Sequence, residues 1–237
     1  MNVEFFSEFY VDLIQSAGSD EFIGHAARVS AKGLDLDLSH IPESDLTGLI
    51  NFLAKNRHGS PFEHGLMTFR ITAPIFVWRE FMRHRIGFSY NEQSGRYMEM
   101  LPVFYIAPPE RPLQQVGKVG AYNFVPGTPE QYELLVLEDK ESYELAWASY
   151  QRKLRAGIAK EAARNNLPLA TYSSAYVSCN PRSMMSFLSL RTKDESSLFP
   201  SYPQWEINQV ANLMEARFQE LFPITHKAFV NARRVSP

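Results

Sequence analysis

The chain has 237 residues, 45% of them hydrophobic and 13% aromatic, enough for one large domain or a compact pair with a substantial core. Its formal net charge of −2 excludes a nucleic-acid binder that relies on a broad basic surface, so any cationic site must be local. The single cysteine, Cys179, excludes an intrachain disulfide, the first residues lack a signal-peptide pattern, and no apolar run approaches the roughly 20 residues of a membrane span. These features predict a cytoplasmic protein with neither nucleic acid nor membrane as a partner.

Residues 3–14 are apolar and aromatic and read as a strand running into a turn or short helix. Ser19, Asp20 and Glu21 make a helix start with acids in the first turn. That helix would carry Phe22, Ile23, Ala26, Ala27 and Val29 toward Ser30 before Gly33 ends it, with Ser30 as a helix-end hydroxyl. Residues 33–40 are loop-like. Ser44 and Asp45 open a second helix, whose apolar face is Leu46, Leu49, Ile50 and Leu53, and which stops near Arg57. Residues 58–64 form a turn broken by Pro61, and a strand follows over 66–71. His58, Glu63 and His64 are metal-ligand types, but they lack the His-Glu-x-x-His order that sets two histidines on one helical face. No metal is assigned to them.

Pro74 sits where a first-turn proline belongs. The short helix after it would carry Ile75, Trp78 and Met82 on one face, with Arg79, Glu80 and Arg83 on another. Residues 83–97 then gather three arginines, a histidine, serines, amides and a single carboxylate, ahead of a β-like run over 98–106. Guanidinium groups held between buried segments suit forked contacts to phosphate or carboxylate oxygens. A helix C-terminus that welcomes cations accounts for Arg83 and Arg85. It does not account for Ser89, Asn91, Gln93, Ser94 and Arg96, which follow with hardly a charge to balance them. The stretch predicts a site for an anionic ligand.

Residues 107–127 are rich in Pro, Gly and Gln and predict a long mobile loop. Thr128, Pro129 and Glu130 start a long helix toward Arg155, with Tyr132, Leu135, Tyr143, Trp147, Tyr150 and Leu154 inward and Gly157 as terminator. A helix over 159–166 carries Arg164 near its end, and residues 171–179 read as a strand. Asn180 as N-cap and Pro181 at the first position open a helix bearing Met184, Phe187, Leu188 and Arg191. A polar insertion over 192–203 leads to a last amphipathic helix with Trp205, Leu213, Phe218 and Leu221. There are no repeats, no clear linker and no regular βαβ rhythm. The expectation is one α+β domain over residues 1–237, with a small, mostly antiparallel sheet flanked by helices, some of them long.

Arg83-His84-Arg85, Ser89-Tyr90-Asn91-Glu92 and Ser94-Gly95-Arg96-Tyr97 resemble the signature of the flavin-dependent thymidylate synthases. The spacer, residues 86–93, is one residue longer than is usual in that family. The likeness runs from residue 26 to about residue 205, and takes in Arg164 with its neighbours and the segment from Asn180 to Arg191. It implies reductive methylation of deoxyuridine monophosphate (dUMP) to dTMP. In that reaction 5,10-methylenetetrahydrofolate is the carbon donor, and FAD, reduced by NADPH, is the hydride source. It further implies Arg191 as the catalytic residue and a homotetramer as the assembly.

The same resemblance implies dUMP contacts from Glu80, Phe81, Met82, Arg83, Glu92, Gln93, Ser94, Gly95, Arg96, Arg164 and Arg191. It implies FAD contacts from Ser30, His58, Ser60, Glu63, Arg83, His84, Arg85, Asn91, Glu92, Asn180, Pro181, Arg182 and Ser186. Three positions depart from the family pattern. Glu80 stands where many members have Gln, Ser186 where Asn is common, and no histidine occurs between Arg191 and His226. Cys179 is expected as a small buried hydrophobe, since these flavoenzymes use no cysteine nucleophile. Without the resemblance, Arg83, Arg96 and Arg164 suit two other classes. One is a nucleotide phosphohydrolase, although the acidic metal cluster of that class is missing. The other is a non-catalytic nucleotide- or RNA-binding module that stacks bases on Tyr90 and Tyr97.

Overall fold

The computed structural model describes residues 2–33, 39–119 and 121–237, so most of the loop expected over 33–40 lies outside the described residues. In chain order the elements are β1 (Glu4–Phe6), β2 (Tyr10–Ala17), α1 (Asp20–Lys32), α2 (Glu43–Lys55), β3 (Leu66–Pro74), α3 (Ile75–Phe81), β4 (Phe88–Glu92), β5 (Val103–Tyr105), β6 (Gln114–Lys118), β7 (Ala121–Val125), α4 (Pro129–Arg155), α5 (Lys160–Ala163), β8 (Tyr172–Cys179), α6 (Pro181–Arg191), α7 (Trp205–Leu221) and α8 (Pro223–Asn231). The class is α+β, as expected. One sheet has four strands in the order β2-β3-β8-β4. Hydroxyl pairs set the register of its central strands: Thr68 meets Ser178 at 2.8 Å and Thr72 meets Ser174 at 2.6 Å. Four residues forward on β3 are four residues back on β8, so the two are antiparallel. No helix among the described residues is long and apolar enough to cross a membrane.

The chain divides into two compact units. The first comprises Met1–Tyr10, Thr72–Arg83 and Glu92–Ala175. Within it β1 runs parallel to β5, and β6 pairs antiparallel with β7. Its core is aromatic. Phe104, Trp147 and Tyr150 pack with Met100 and Ala163, while Tyr105 and Tyr172 pack with Ala107 and Ala170. The rings meet edge to face, as Phe6 does with Tyr172 and Phe76 with Tyr105, the arrangement their quadrupoles favour. Thr128 and Gln131 form a full capping box at the start of α4, and Gly157, at φ 79°, follows its end.

The second unit comprises Val11–Ile71, His84–Asn91 and Tyr176–Pro237. Here α1 packs on α2, α2 on α8, α8 on α7, and α7 on α6. Helix α1 lies close to α2 at Gly24, where a Cβ would come within 2.6 Å of a Leu46 methyl. On α1, Ile23 and Gly24 are buried, while Phe22 and Val29 are exposed. Asp20, in the first turn of α1, is buried and caps another helix. Its carboxylate accepts from the Ile224 and Thr225 amides at 2.8 and 3.0 Å and from the Thr225 hydroxyl at 2.6 Å. The residue at the N-cap of α8 is Phe222, which makes no side-chain cap, so Asp20 supplies the acceptor that α8 lacks.

Several expectations are corrected. Residues 3–14 hold β1 and most of β2, with no helix. Pro74 is the extended N-cap of α3 and the last residue of β3. A strand, β4, lies inside the polar signature, whereas only residues 103–105 of the run over 98–106 form one. The loop expected over 107–127 contains the β6–β7 hairpin, registered from Gln114 opposite Val125 to Lys118 opposite Ala121. Its strand β6 is mostly exposed, so no burial alternation marks it in the sequence. The helix over 159–166 shortens to α5 and a 3-10 turn, Arg164–Asn166. The last helix is two, because Pro223 has no amide hydrogen to continue α7. Met82 and Leu213 are exposed.

Asp20→Ala removes three acceptor contacts from a buried helix start and should lower unfolding stability by about 2–3 kcal/mol. Urea unfolding of the variant measures this. A loss no larger than that of a surface substitution would count against the capping role.

Candidate functional site

The site is built around α6. Asn180 caps it by accepting from the Ser183 amide at 2.8 Å, and Pro181 fills its first position. Ser183, Phe187 and Arg191 are spaced by four residues and therefore share one face of that helix. Each meets the signature segment. Ser183 Oγ donates to the Ile86 carbonyl at 2.9 Å. The Phe187 ring stands edge-on to His84, with centroids 4.9 Å apart at 72°. Arg191 Nε donates to His84 Nε2 at 2.9 Å.

Part of the spacer lies against the same face. Gly87 takes φ 68°, and a Cβ there would sit 2.1 Å from Ser183 Oγ. Only glycine fits on both counts. Tyr90 donates its hydroxyl hydrogen to the His84 carbonyl at 2.9 Å, and burial pushes the Tyr90 phenol well above its ordinary range. Burial first, and the Arg191 charge second, hold the His84 imidazole down to about 4. His84 is thus neutral near pH 7, its Nε2 is an acceptor, and its proton is on Nδ1.

In the same unit, Arg182 donates to Glu63 through Nη1 and to the Pro237 carbonyl through Nε at 2.8 Å. Its guanidinium covers Gly59, where a Cβ would come within 2.4 Å of Nε. This fastens the 3-10 turn Ser60–Glu63 beside the start of α6. His58 is exposed and stacks on Phe52 at 5.8 Å; Ser60, Arg85, Asn91 and Ser186 are exposed as well. Pro181 is buried at the first position of α6. Ser30 is exposed, with its hydroxyl on the Ala27 carbonyl at 3.0 Å, the helix-end role read from the sequence. No group of three or more His, Cys, Asp and Glu side chains placed to hold a metal occurs among the described residues.

The first unit holds most of the residues expected at dUMP. Gly95 is buried against the Arg164 stem, with a virtual Cβ 3.0 Å from Arg164 Cδ. Arg96 Nε pairs with Glu161 at 2.7 Å while both side chains are more than half exposed, and Arg96 also lies 5.8 Å from the Tyr97 ring centroid. Glu92 accepts from the buried Ser173 hydroxyl at 2.6 Å. Gln93 is half-buried and its amide donates to the Ser174 carbonyl at 2.9 Å. Of the α3 end, Phe81 is fully buried, Glu80 half-buried, and Met82 and Arg83 exposed.

Sequence reading missed the partners that hold these groups: Ser173, Glu161, Tyr90 and Ser183. Only Ser183 had a legible signal, its four-residue spacing from Phe187 and Arg191. The histidine absent between Arg191 and His226 has no substitute in His226, which bonds Glu215 at 2.8 Å. Glu215 also takes both Arg234 Nη atoms at 2.8 Å. Burial would raise the Glu215 carboxyl, but His226 and Arg234 outweigh it and hold it down to about 2. Arg234 reaches on to Thr192 Oγ1 at 2.6 Å and so anchors the start of the insertion. Cys179 ends β8 fully buried, and burial pushes its thiol far above the ordinary range, which removes it as a nucleophile.

Comparison with known proteins agrees with this arrangement. The family model described as "Thymidylate synthase complementing protein" matches residues 12–224. The flavin-dependent thymidylate synthase of Streptomyces coelicolor is 52% identical, over 99% of this chain and 96% of its own length. That of Tropheryma whipplei is 51% identical, over 100% and 98%. Among solved structures, the UMP/dUMP methylase PolB from Streptomyces cacaoi, bound with 5-Br dUMP, superposes with a TM-score of 0.95 at 45% identity, over 99% of this chain and all of that one. With the signature clasped by α6 and whole-length relatives at about half identity, the chain belongs to the flavin-dependent thymidylate synthase family.

Proposed function

We propose that the protein converts dUMP to dTMP by reductive methylation, with 5,10-methylenetetrahydrofolate as carbon donor and FAD and NADPH as the redox pair. The observation that carries the reading is Arg191, held at the end of α6 by the signature histidine. Uracil is a poor carbon nucleophile. A guanidinium at its edge stabilises negative charge on the ring as the new bond forms, and that is the role of Arg191. Arg164, whose stem lies against Gly95, is assigned with Arg96 and Ser94 to the nucleotide phosphate, which needs forked donors. Glu80, Phe81, Met82, Arg83, Glu92, Gln93 and Gly95 complete the dUMP set.

The residues proposed for FAD fit a dinucleotide in their chemistry. Arg83 and Arg85 are exposed cations for its phosphates, the exposed His58 ring is a flat surface, and Ser60, Asn91 and Ser186 present exposed polar groups. Ser30, Glu63, His84, Glu92, Asn180, Pro181 and Arg182 are assigned to FAD as well. When bound, FAD reduced by NADPH supplies the hydride that completes the methyl group. The protein's part is to orient the pyrimidine, to hold its phosphate and to set the field around the ring.

Residues 1–237 act in this reading as one catalytic domain, in the cytoplasm, where a single free cysteine is at home. The assembly is a homotetramer. What supports this is α4, which leaves Leu134, Leu137 and Leu145 59%, 55% and 68% exposed, a costly face for a lone chain. Sedimentation at micromolar concentration should give four times the 27.2 kDa chain mass, and a stable, active monomer would contradict it.

Arg191→Ala should cut thymidylate formation by about 100- to 1000-fold while the protein stays folded and flavin-loaded. Cys179→Ala, assayed beside it, should keep most turnover. The reverse pattern would overturn the mechanism. Arg164→Ala should weaken nucleotide binding roughly 10- to 150-fold, the worth of one charge-assisted contact, with little change in flavin affinity. Titration of both ligands distinguishes this from a general loss of structure, in which both affinities fall.

A further inference from the structure

Arg164 stands on two pieces of helix too short to hold themselves. Helix α5 has four residues and the 3-10 turn Arg164–Asn166 has three, well below the roughly 12 residues at which an isolated helix becomes even marginal in water. Hydrogen bonds in a 3-10 turn are also poorly aligned. The direction of the Arg164 side chain must therefore be set from outside, and the element that sets it is α4, 27 residues long.

Two side chains tie the turn to α4. Asn166, the last residue of the turn, donates through Nδ2 to the Ala146 carbonyl at 2.9 Å. Its Oδ1 accepts from Lys153 Nζ at 2.7 Å, and Lys153 also reaches the Ala163 carbonyl at 3.4 Å. Lys153 thus holds the residue before Arg164 and the residue two after it. Both ties end on α4, about two turns apart. Beneath them, Ala163 and Leu167 join the core cluster of Trp147 and Tyr150. We infer that Lys153 and Asn166 are positioning residues for the nucleotide, which fix the turn that carries Arg164 and so aim its guanidinium.

The chemistry supports this division of labour. A phosphate takes an arginine as a fork, so the guanidinium gains most when its direction is set before the ligand arrives. The half-buried Arg164 side chain has its own guide, since buried Gly95 lies against its Cδ. That guide works only while the backbone beneath the stem stays fixed. Asn166 carries no charge, so its part is geometric. Lys153 is a cation, but its ammonium is engaged on Asn166 and on the last carbonyl of α5, as lysines at helix ends often are. The inference rests on the proposed role of Arg164 at the nucleotide phosphate.

The test is a double-mutant cycle in flavin-loaded enzyme, read by dUMP titration. Asn166→Ala changes no charge and should weaken dUMP binding about 10-fold, the low end of the loss expected for Arg164→Ala. In the Arg164→Ala background the same change should have no further effect, because the group it aims is gone. Lys153→Met, which keeps the apolar stem, should follow the same pattern, and Lys153→Arg should restore most of the affinity. In turnover the loss should appear in the KM for dUMP, with kcat at saturation little changed. Should Asn166→Ala fail to fold, the two Lys153 variants carry the same test.

Wild-type dUMP affinity in Asn166→Ala and Lys153→Met would overturn the inference. So would an equal fold loss with and without Arg164, which marks a general loosening of the structure. Failure of the underlying reading looks different. Arg164→Ala would itself then bind dUMP as tightly as the wild type.

Discussion

The hydrogen bond from Arg191 to His84 is the constraint around which the second unit is organised. It joins the last residue of α6 to the second residue of the signature, and everything between them is arranged to bring the two groups together. The face of α6 made by Ser183, Phe187 and Arg191 acts as a ruler, meeting the signature at three points one turn apart. Asn180 and Pro181 fix where that ruler begins, and Gly87 lets the chain approach it. The charge of Arg191 sits at a helix C-terminus, where the dipole favours a cation.

Ion pairs near the site differ in kind from those that build the fold. Arg96–Glu161 and Arg182–Glu63 are exposed, and pairs in water contribute little net stability. Arg182 is held more firmly, because its Nε is committed to the Pro237 carbonyl and its plane covers Gly59. The Arg234–Glu215–His226 cluster is buried and linked to Thr192, and removing one member would strand a charge away from water. One set lies in water, and the other does not.

Much of this was legible in the sequence, wherever local chemistry decides structure. Ser19, Thr128 and Asn180 are N-caps because their side chains bond amides two or three residues on, and the structure has all three in that role. Gly157 ends α4 for an equally local reason. The polar run from Arg83 to Tyr97 marked itself by a shortage of carboxylates, and the burial of Cys179 followed from its apolar strand. What failed was of two kinds. The β6–β7 hairpin lacks a buried face, so periodicity had nothing to report. The run over 98–106 shrinks to β5, and a strand forms inside the polar signature instead, because pairing partners elsewhere in the chain decide which segment extends.

Residue types and spacing thus determined the class of the protein, the helix boundaries set by caps and breakers, and the segment that carries the chemistry. Only the tertiary structure decided what those charged groups face. Asp20 is an acceptor for α8, some 200 residues away in sequence, and not merely an acid in its own first turn. Arg96 meets Glu161, Glu92 meets Ser173, and His84 meets Arg191 across a gap of more than 100 residues. Sequence patterns report forces that act within a turn or two of chain. A buried hydrogen bond between distant residues is chosen by packing, which brings one donor to one acceptor and makes leaving either of them unpaired expensive.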